Sequence, residues 1–230
     1  MNDVAANENT DPHGRIVVGR SAELPAIRSL MYALYSDLLA SPFDAAPQVA
    51  HQGIDFAHLP LPYELTQFGA LFKDWQMTDS AVLKAEYSGL FEVGSDGPPV
   101  PIREDLHRDQ PAGLREDIVR FYDYFGYGLE ESFAWAPDHL SVELEFMHFL
   151  CFREAEELEA STSQADPLSF QLAQSDFAER HLCNWVPELA ERIVQHNAKA
   201  LYGRIVASLS EFLIKDFGWQ AGTIRPARTN

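Results

Sequence analysis

Hydrophobic residues recur every three or four positions along most of the chain, which is the spacing of one face of an α-helix. The pattern is strongest between 138 and 153. One apolar stripe of this predicted helix comprises Leu140, Leu144, Met147, Leu150 and Cys151. Most of its remaining surface is also apolar, through Val142, Phe146 and Phe149. A helix that is hydrophobic nearly all round is expected at the centre of the fold.

The start of this central helix carries two polar residues, Asp138 and His139, directly after Pro137. Asp138 is expected to cap the free N–H groups of the first turn, and Pro137 to prevent the helix from beginning earlier. In this interpretation His139 hydrogen-bonds a neighbouring loop. The alternative is a binding site, because polar groups at the mouth of a buried helix need a partner. The residues alone leave both interpretations open.

Helical spacing predicts further helices on both sides of the central one. They cover 21–39, 63–75, 79–91, 114–127, 168–185 and 188–217. The segment 92–111 is rich in glycine and proline, breaks the pattern and is expected to be a functional loop. No stretch alternates long enough to predict a sheet. The predicted fold class is therefore all-α, a single helical bundle-like domain over 21–217 between a mobile tail at 1–20 and a polar tail at 218–230.

Composition limits the class of partner. Of the 230 residues, 46% are hydrophobic and 12% aromatic, which is enough for the packed core of one domain. The chain has 17 basic and 35 acidic residues, so its formal net charge is −18. This charge disfavours nucleic acid and anionic membrane surfaces and favours a basic partner. An acidic surface that serves only solubility is the alternative.

The cysteines and the hydrophobic runs indicate the compartment. Cys151 and Cys183 lie far apart in apolar surroundings and are predicted to be buried free thiols in a reducing compartment. The N-terminal residues lack the apolar run of a secretory signal. No run of about 18 uncharged apolar residues predicts a membrane span. We therefore expect a cytoplasmic protein without stable membrane association.

The sequence shows little sign of catalytic chemistry. The motifs GxxxxGK[ST], GxGxxG after a strand, GxSxG and HExxH do not occur. The pattern ExxH, which holds di-iron sites on bundle helices, occurs in Glu104 with His107 and in Glu145 with His148. The second pair lies on the central helix and supports one alternative, an all-α metalloenzyme with a di-iron-like site. The main expectation is a protein that is not an enzyme and has no cofactor or metal.

Four segments are more informative together than any one of them. They are 28–39, 86–91 with the proline-rich loop 98–101, PDHLSVELEFMHFLC at 137–151, and HLCNW at 181–185. In these segments and their order the chain resembles the TorD/DmsD/NarJ family of chaperones that mature molybdenum enzymes before export. The resemblance implies a TorD-like helical domain. It also implies a partner, the apo catalytic subunit of a molybdopterin-containing oxidoreductase with its twin-arginine leader.

The resemblance further implies which residues contact the leader. They are Tyr87, Leu90, Phe91, Pro99, Pro101, Asp138 and His139. Tyr87, Leu90 and Phe91 would form one apolar face of a helix, for which an ordinary core position is the alternative. Asp138 would pair with a leader arginine. A monomer and a helix-swapped dimer both remain open.

Overall fold

The computed structural model describes residues 9–10, 16–17, 21–43, 54, 59–66, 68–92, 94, 97–108, 113–129, 136–160 and 166–224. Within these ranges the protein is all-α, as predicted, apart from one pair of two-residue strands. The helices are α1 (Glu23–Leu39), α2 (Phe68–Met77), α3 (Ser80–Phe91), α4 (Leu114–Phe125), α5 (Leu140–Glu159), α6 (Pro167–Phe177), α7 (Cys183–His196) and α8 (Leu201–Ile224). A 3₁₀ turn, Glu104–Leu106, precedes α4, and a π-helical turn, Ala178–Leu182, joins α6 to α7.

Helix α5 lies at the centre, as its apolar surface predicted. Helices α1 and α6 pack against it, and α7 packs against α8. The side chains of Phe146, Met147 and Leu150 are completely buried. The ring of Phe146 lies 4.7 Å from that of Tyr122 on α4 and 4.9 Å from that of Phe177 on α6, measured between centroids. Because most of its surface is buried, α5 is the surface on which α1, α4 and α6 assemble.

Several helix ends follow local signals. Asp79 caps α3 by accepting a hydrogen bond from a first-turn N–H at 2.7 Å, and Asp166 caps α6 in the same way at 3.0 Å. Gly126 ends α4 in the left-handed conformation, with a φ of 71°. These ends agree closely with the predicted boundaries because each signal lies next to the end it specifies.

The helix predicted over 188–217 is wrong as a single helix. Asn197 leaves the helical conformation after α7, and its side-chain oxygen accepts a hydrogen bond from the N–H of Lys199 at 3.2 Å. Asparagine favours such turns, so the apolar spacing is interrupted without a glycine or proline. Helix α8 then continues past the predicted end at Phe217.

Residues 168–185 are helical throughout, as predicted, but a π-helical turn lies within them. Helix α6 ends at Phe177, and the π-helical turn follows it directly. Helix α7 passes through Pro187, which lies in the gap between the predicted helices 168–185 and 188–217. The π-helical turn changes the backbone hydrogen-bond pattern between α6 and α7 without ending the helical conformation.

The predicted tails are only partly described. Strand β1 (Asn9–Thr10) pairs in antiparallel fashion with β2 (Ile16–Val17), inside the predicted N-terminal tail. The rest of 1–20 and residues 225–230 lie outside the described residues.

Helix α2 begins at Phe68, later than the predicted start at 63.

Both cysteines are free thiols, as predicted. Cys151 is buried and Cys183 is only partly buried. Burial raises the pKa of both thiols, so neither has the thiolate character of a reactive cysteine. Among the described residues, no helix combines the length and the hydrophobicity needed to span a bilayer.

Candidate functional site

The segment 97–108 runs back against the start of α5. The N–H of Leu140 donates to the carbonyl of Ile102 at 3.2 Å, and the N–H of Glu104 donates to the carbonyl of Asp138 at 3.0 Å. These bonds form an isolated antiparallel bridge between Arg103 and His139. The predicted functional loop is therefore attached by its backbone to the polar entrance of the central helix.

Asp138 does not cap α5, so that prediction is wrong. The N-cap is His139, whose Nδ1 accepts a hydrogen bond from the N–H of Ser141 at 3.3 Å. The Asp138 Oδ2 instead accepts one from the N–H of Asp105 at 3.2 Å, at the 3₁₀ turn. Asp138 thus satisfies the free N–H groups of a turn that is distant in sequence, which a local capping rule does not foresee.

Two arginines of the chain form ion pairs with the carboxylate of Asp138. Arg115 Nε lies 3.1 Å from Asp138 Oδ1, and Arg103 Nε lies 3.7 Å from Asp138 Oδ2. Both guanidinium groups also contact Asp105 Oδ2, at 2.7 Å from Arg115 and 2.9 Å from Arg103. We call Arg103, Asp105, Arg115 and Asp138 the arginine–carboxylate cluster. Partial burial and the neighbouring Asp138 carboxyl together raise the pKa of Asp105 to about 6, although Arg103 acts to lower it.

Two more carboxyl groups lie deeper, behind the arginine–carboxylate cluster. Glu104 and Glu143 are both completely buried. Glu104 accepts a hydrogen bond from Arg108 at 2.7 Å, and its other oxygen lies 2.9 Å from His181 Nδ1. Burial raises the pKa of Glu143 well above its usual range, and the charges of Glu104 and Asp138 raise it further. The raised pKa favours the neutral form of Glu143, which accepts a hydrogen bond from Trp185 Nε1 at 3.3 Å.

The predicted apolar face of α3 is buried. The exposed fractions of Tyr87, Leu90 and Phe91 are 2%, 2% and 5%. Tyr87 and Phe91 pack edge-on against Tyr202 of α8, at centroid distances of 5.4 and 5.7 Å. The Tyr87 hydroxyl lies 3.4 Å from His139 Nε2, so this face supports the entrance of α5 from beneath. It does not form an open surface.

The structure places the other predicted contact residues nearer to solvent. Pro99 is exposed, and Pro101 and His139 are partly buried. All three lie on segment 97–108 or at the start of α5, whereas Asp138 itself has no exposed surface. The seven predicted residues are therefore neighbours, but they differ in whether a partner could reach them.

Sequence reasoning missed the two arginines. Arg103 stands next to an acidic pair in REDLHR, and this local concentration of charge was a usable signal. Arg115 and Glu143 gave no such signal, because their positions along the chain do not show that both lie near Asp138. Their roles depend on how α4 and segment 97–108 pack on α5.

An open groove lies between α4 and α6, with a volume of about 740 Å³. Its apolar lining includes Phe121, Tyr124 and Leu172, and the exposed fractions of Tyr124 and Leu172 are 82% and 47%. A smaller, polar cavity of about 430 Å³ shares Asp117 and Arg180 with the groove. This second cavity is also lined by Arg108, Leu114, Glu179, His181 and Asn184. The apolar groove therefore continues towards the buried carboxyl groups.

The residues of the metalloenzyme alternative lie apart from this site. Glu145 is exposed. His148 Nδ1 lies 2.8 Å from the hydroxyl of Ser29 and 3.0 Å from its carbonyl oxygen. In the described part of the chain, no group of three or more His, Cys, Asp or Glu side chains is arranged to hold a metal ion.

Comparison with known proteins gives a family and several relatives. Residues 58–191 match the family described as the nitrate reductase delta subunit. The selenate reductase assembly chaperone protein of Thauera selenatis is 37% identical over 145 residues, or 60% of this chain and 72% of the relative. The chlorate reductase assembly chaperone protein of Ideonella dechloratans is 36% identical over 132 residues, or 56% and 67%. The chaperone protein TorD of Vibrio cholerae serotype O1 is 33% identical over 139 residues, or 58% and 60%. The family match includes segment 97–108, α4 and α5.

Proposed function

Because the chain belongs to the nitrate reductase delta subunit family, the family of TorD-like chaperones that its sequence resembles, we propose that it is an assembly chaperone for a molybdopterin-containing oxidoreductase. It works in the cytoplasm on the apo catalytic subunit. It binds that subunit and its twin-arginine leader until the cofactor is inserted, and then releases the enzyme for export. This function is a binding equilibrium and requires no covalent step.

The observation that carries the proposal is the arginine–carboxylate cluster. Its two aspartates already bind two guanidinium groups, so the chemistry for recognising an arginine pair is present at the entrance of α5. The formal charge of −18 favours the approach of a basic segment. A complex with a micromolar Kd corresponds to about −8 kcal/mol, which holds a client but still allows release.

The other predicted contact residues divide into two roles. Pro99, Pro101 and His139 border the cluster and contact the leader directly. Tyr87, Leu90 and Phe91 are buried and position the site, chiefly through the Tyr87 hydroxyl beside His139. These three residues therefore support the site, and a substitution that disturbs their packing would weaken leader binding only indirectly.

The apolar stretch of a leader needs an apolar surface, and the groove between α4 and α6 supplies one. It shares its lining with the polar cavity that leads to Glu104 and His181. The cluster adjoins this cavity along the chain, since Arg115 follows Leu114, which lines the cavity. A segment with basic residues followed by apolar residues matches the order of cluster and groove. We assign the apolar part of the leader to the groove and its arginine pair to the cluster.

The test is a titration of the purified protein with twin-arginine leaders of molybdoenzymes from the same genome. A scrambled peptide of identical composition serves as the control. We expect one leader to bind selectively, more weakly as salt is added, because ions screen the attraction between opposite charges. Equal binding of the scrambled peptide would overturn the proposal. So would an absence of leader binding with a metal present near stoichiometry, which would favour the Glu145 and His148 alternative.

A substitution of Asp138 tests whether the leader's arginine pair binds at the cluster. Asp138→Asn keeps the shape of the side chain and removes its charge, so we expect leader binding to weaken by about tenfold or more. Asp74→Asn is the matched control, because Asp74 is an exposed acid paired with Arg204 on the surface. Thermal melts of both variants separate a loss of binding from a loss of fold.

A further inference from the structure

We propose that Arg103 and Arg115 are specificity-determining residues that compete with the leader for Asp105 and Asp138. Each occupies a place that a partner's guanidinium group would take. This inference rests on the proposed function, since it concerns the same binding site. It adds that the site is filled by the chain itself before any partner arrives.

The geometry of the cluster indicates an exchangeable contact. Arg115 Nε and Arg103 Nε lie 3.1 and 3.7 Å from the Asp138 oxygens, yet neither nitrogen makes a hydrogen bond to any residue that the structure describes. The buried Asp138 Oδ1 also lacks a hydrogen bond within the described part of the chain. Asp138 is therefore neutralised by charge while its hydrogen-bonding capacity remains partly unused, and a guanidinium group with better alignment would use it.

A second buried aspartate of the same protein shows what a permanent pair looks like. Arg28 Nε and Nη2 donate to the two oxygens of Asp216 at 2.6 and 2.8 Å. The Arg28 side chain has no exposed surface. In contrast, 24% of the Arg103 side chain and 38% of the Arg115 side chain are exposed. The arginines on Asp138 can thus move into solvent without opening the core, whereas Arg28 cannot.

Displacement also explains why the partner must carry two arginines. If both internal arginines left, Asp138 would remain a buried carboxylate without a counter-charge, which is costly. A segment with two guanidinium groups replaces both contacts at once. A segment with one arginine replaces only one and leaves the other internal arginine in place. The chain's own pair therefore makes the site selective for a pair.

Competition lowers the apparent affinity of the wild-type protein. When the binding-competent state is only a fraction of the population, the observed Kd is the intrinsic Kd divided by that fraction. Removing both competitors with Arg103→Gln and Arg115→Gln should therefore tighten leader binding, by about tenfold if the site is open about a tenth of the time. The difference in Kd between a leader with two arginines and a leader with one should be smaller for this double variant than for wild type.

The double variant also makes the protein more acidic, which alone would attract a basic peptide. The control is Arg153→Gln with Arg204→Gln, which changes the net charge equally at two exposed ion pairs away from the cluster. Kd is measured by calorimetry for a leader with two arginines and for the same leader with one arginine replaced by glutamine. The single variant Arg103→Gln leaves Arg115 on Asp138, so it tests the inference even if the double variant folds poorly.

The outcomes separate this inference from the proposed function. Tighter binding by Arg103→Gln/Arg115→Gln than by the control, with a smaller gain in Arg103→Gln alone, supports competition. Leader binding only by the double variant supports it as well. Equal Kd values for wild type, double variant and control would overturn the competition and leave the chaperone proposal standing. No leader binding by any of these proteins would overturn both.

Discussion

Arg28 of α1 and Asp216 of α8 form a buried two-point ion pair between residues that are 188 positions apart. The hydroxyls of Tyr32 and Tyr63 donate to the same carboxylate at 2.8 and 2.7 Å. Burial alone would raise the pKa of Asp216, but Arg28 and the two hydroxyls hold it below its usual value. This pair connects the first helix and the last helix across the side of the core formed by α5 and α6.

We expect Asp216→Asn to lower the free energy of unfolding by about 3–5 kcal/mol, because the buried Arg28 would lose its two-point partner and keep only the more distant carboxylate of Glu154, at 3.7 Å. Urea denaturation followed by circular dichroism measures the loss. The control is Asp74→Asn at the exposed pair with Arg204, where we expect less than about 1 kcal/mol. Similar losses in the two variants would contradict the structural role assigned to the buried pair.

Glu143→Gln is expected to change the free energy of unfolding by less than about 1 kcal/mol. The raised pKa of Glu143 favours the neutral form of this side chain, which glutamine imitates. Asp138→Asn, measured in the same way, should cost more, because Arg103 and Arg115 would lose a charged partner. A large loss in Glu143→Gln would show that Glu143 is ionised in the folded protein.

The pKa of Asp105 predicts a pH dependence with a definite sign. Its pKa is about 6 in the folded protein against an ordinary value of 3.8, so the native state binds this proton more tightly than the unfolded chain. The contribution of Asp105 to the free energy of unfolding therefore rises as the pH falls from about 6 towards 3.8. Above about pH 6 this contribution is absent.

Asp105→Asn should remove that contribution. Relative to wild type, the variant should gain stability as the pH is raised from 4 to 7, since wild type alone must then ionise Asp105. Unfolding curves at several pH values measure the difference between the two proteins, in which the other titrating groups largely cancel. A difference that does not vary with pH would contradict the assigned pKa.

The groove assignment predicts that Leu172→Glu weakens leader binding by about tenfold, equivalent to about 1.4 kcal/mol. The variant places a charge on the apolar lining between α4 and α6, and because 47% of Leu172 is exposed, the fold should tolerate it. Met77→Glu is the control, since Met77 is 75% exposed at the end of α2 and does not line the groove. If both variants bind the leader as wild type does, the apolar part of the leader binds elsewhere.

The sequence by itself determined the helices and the helix that others surround. Apolar residues at three- and four-residue spacing specify an amphipathic or buried helix, and Asp79, Asp166 and Gly126 specify ends because their effects act within one turn. The all-α class and the central position of α5 follow from such local rules. The resemblance added the family, which the comparisons support.

Only the tertiary structure decided what the polar residues do. Asp138 satisfies the rule for a capping residue, yet it serves the turn at Asp105 and two arginines, because segment 97–108 and α4 pack where those groups can reach it. The apolar spacing of Tyr87 and Phe91 is that of an ordinary core face, and only the resemblance implied a binding surface; the position of Tyr202 on α8 makes the face core. Periodicity records which side of a helix is apolar, but the partner of a charge or a ring depends on how distant elements meet in space.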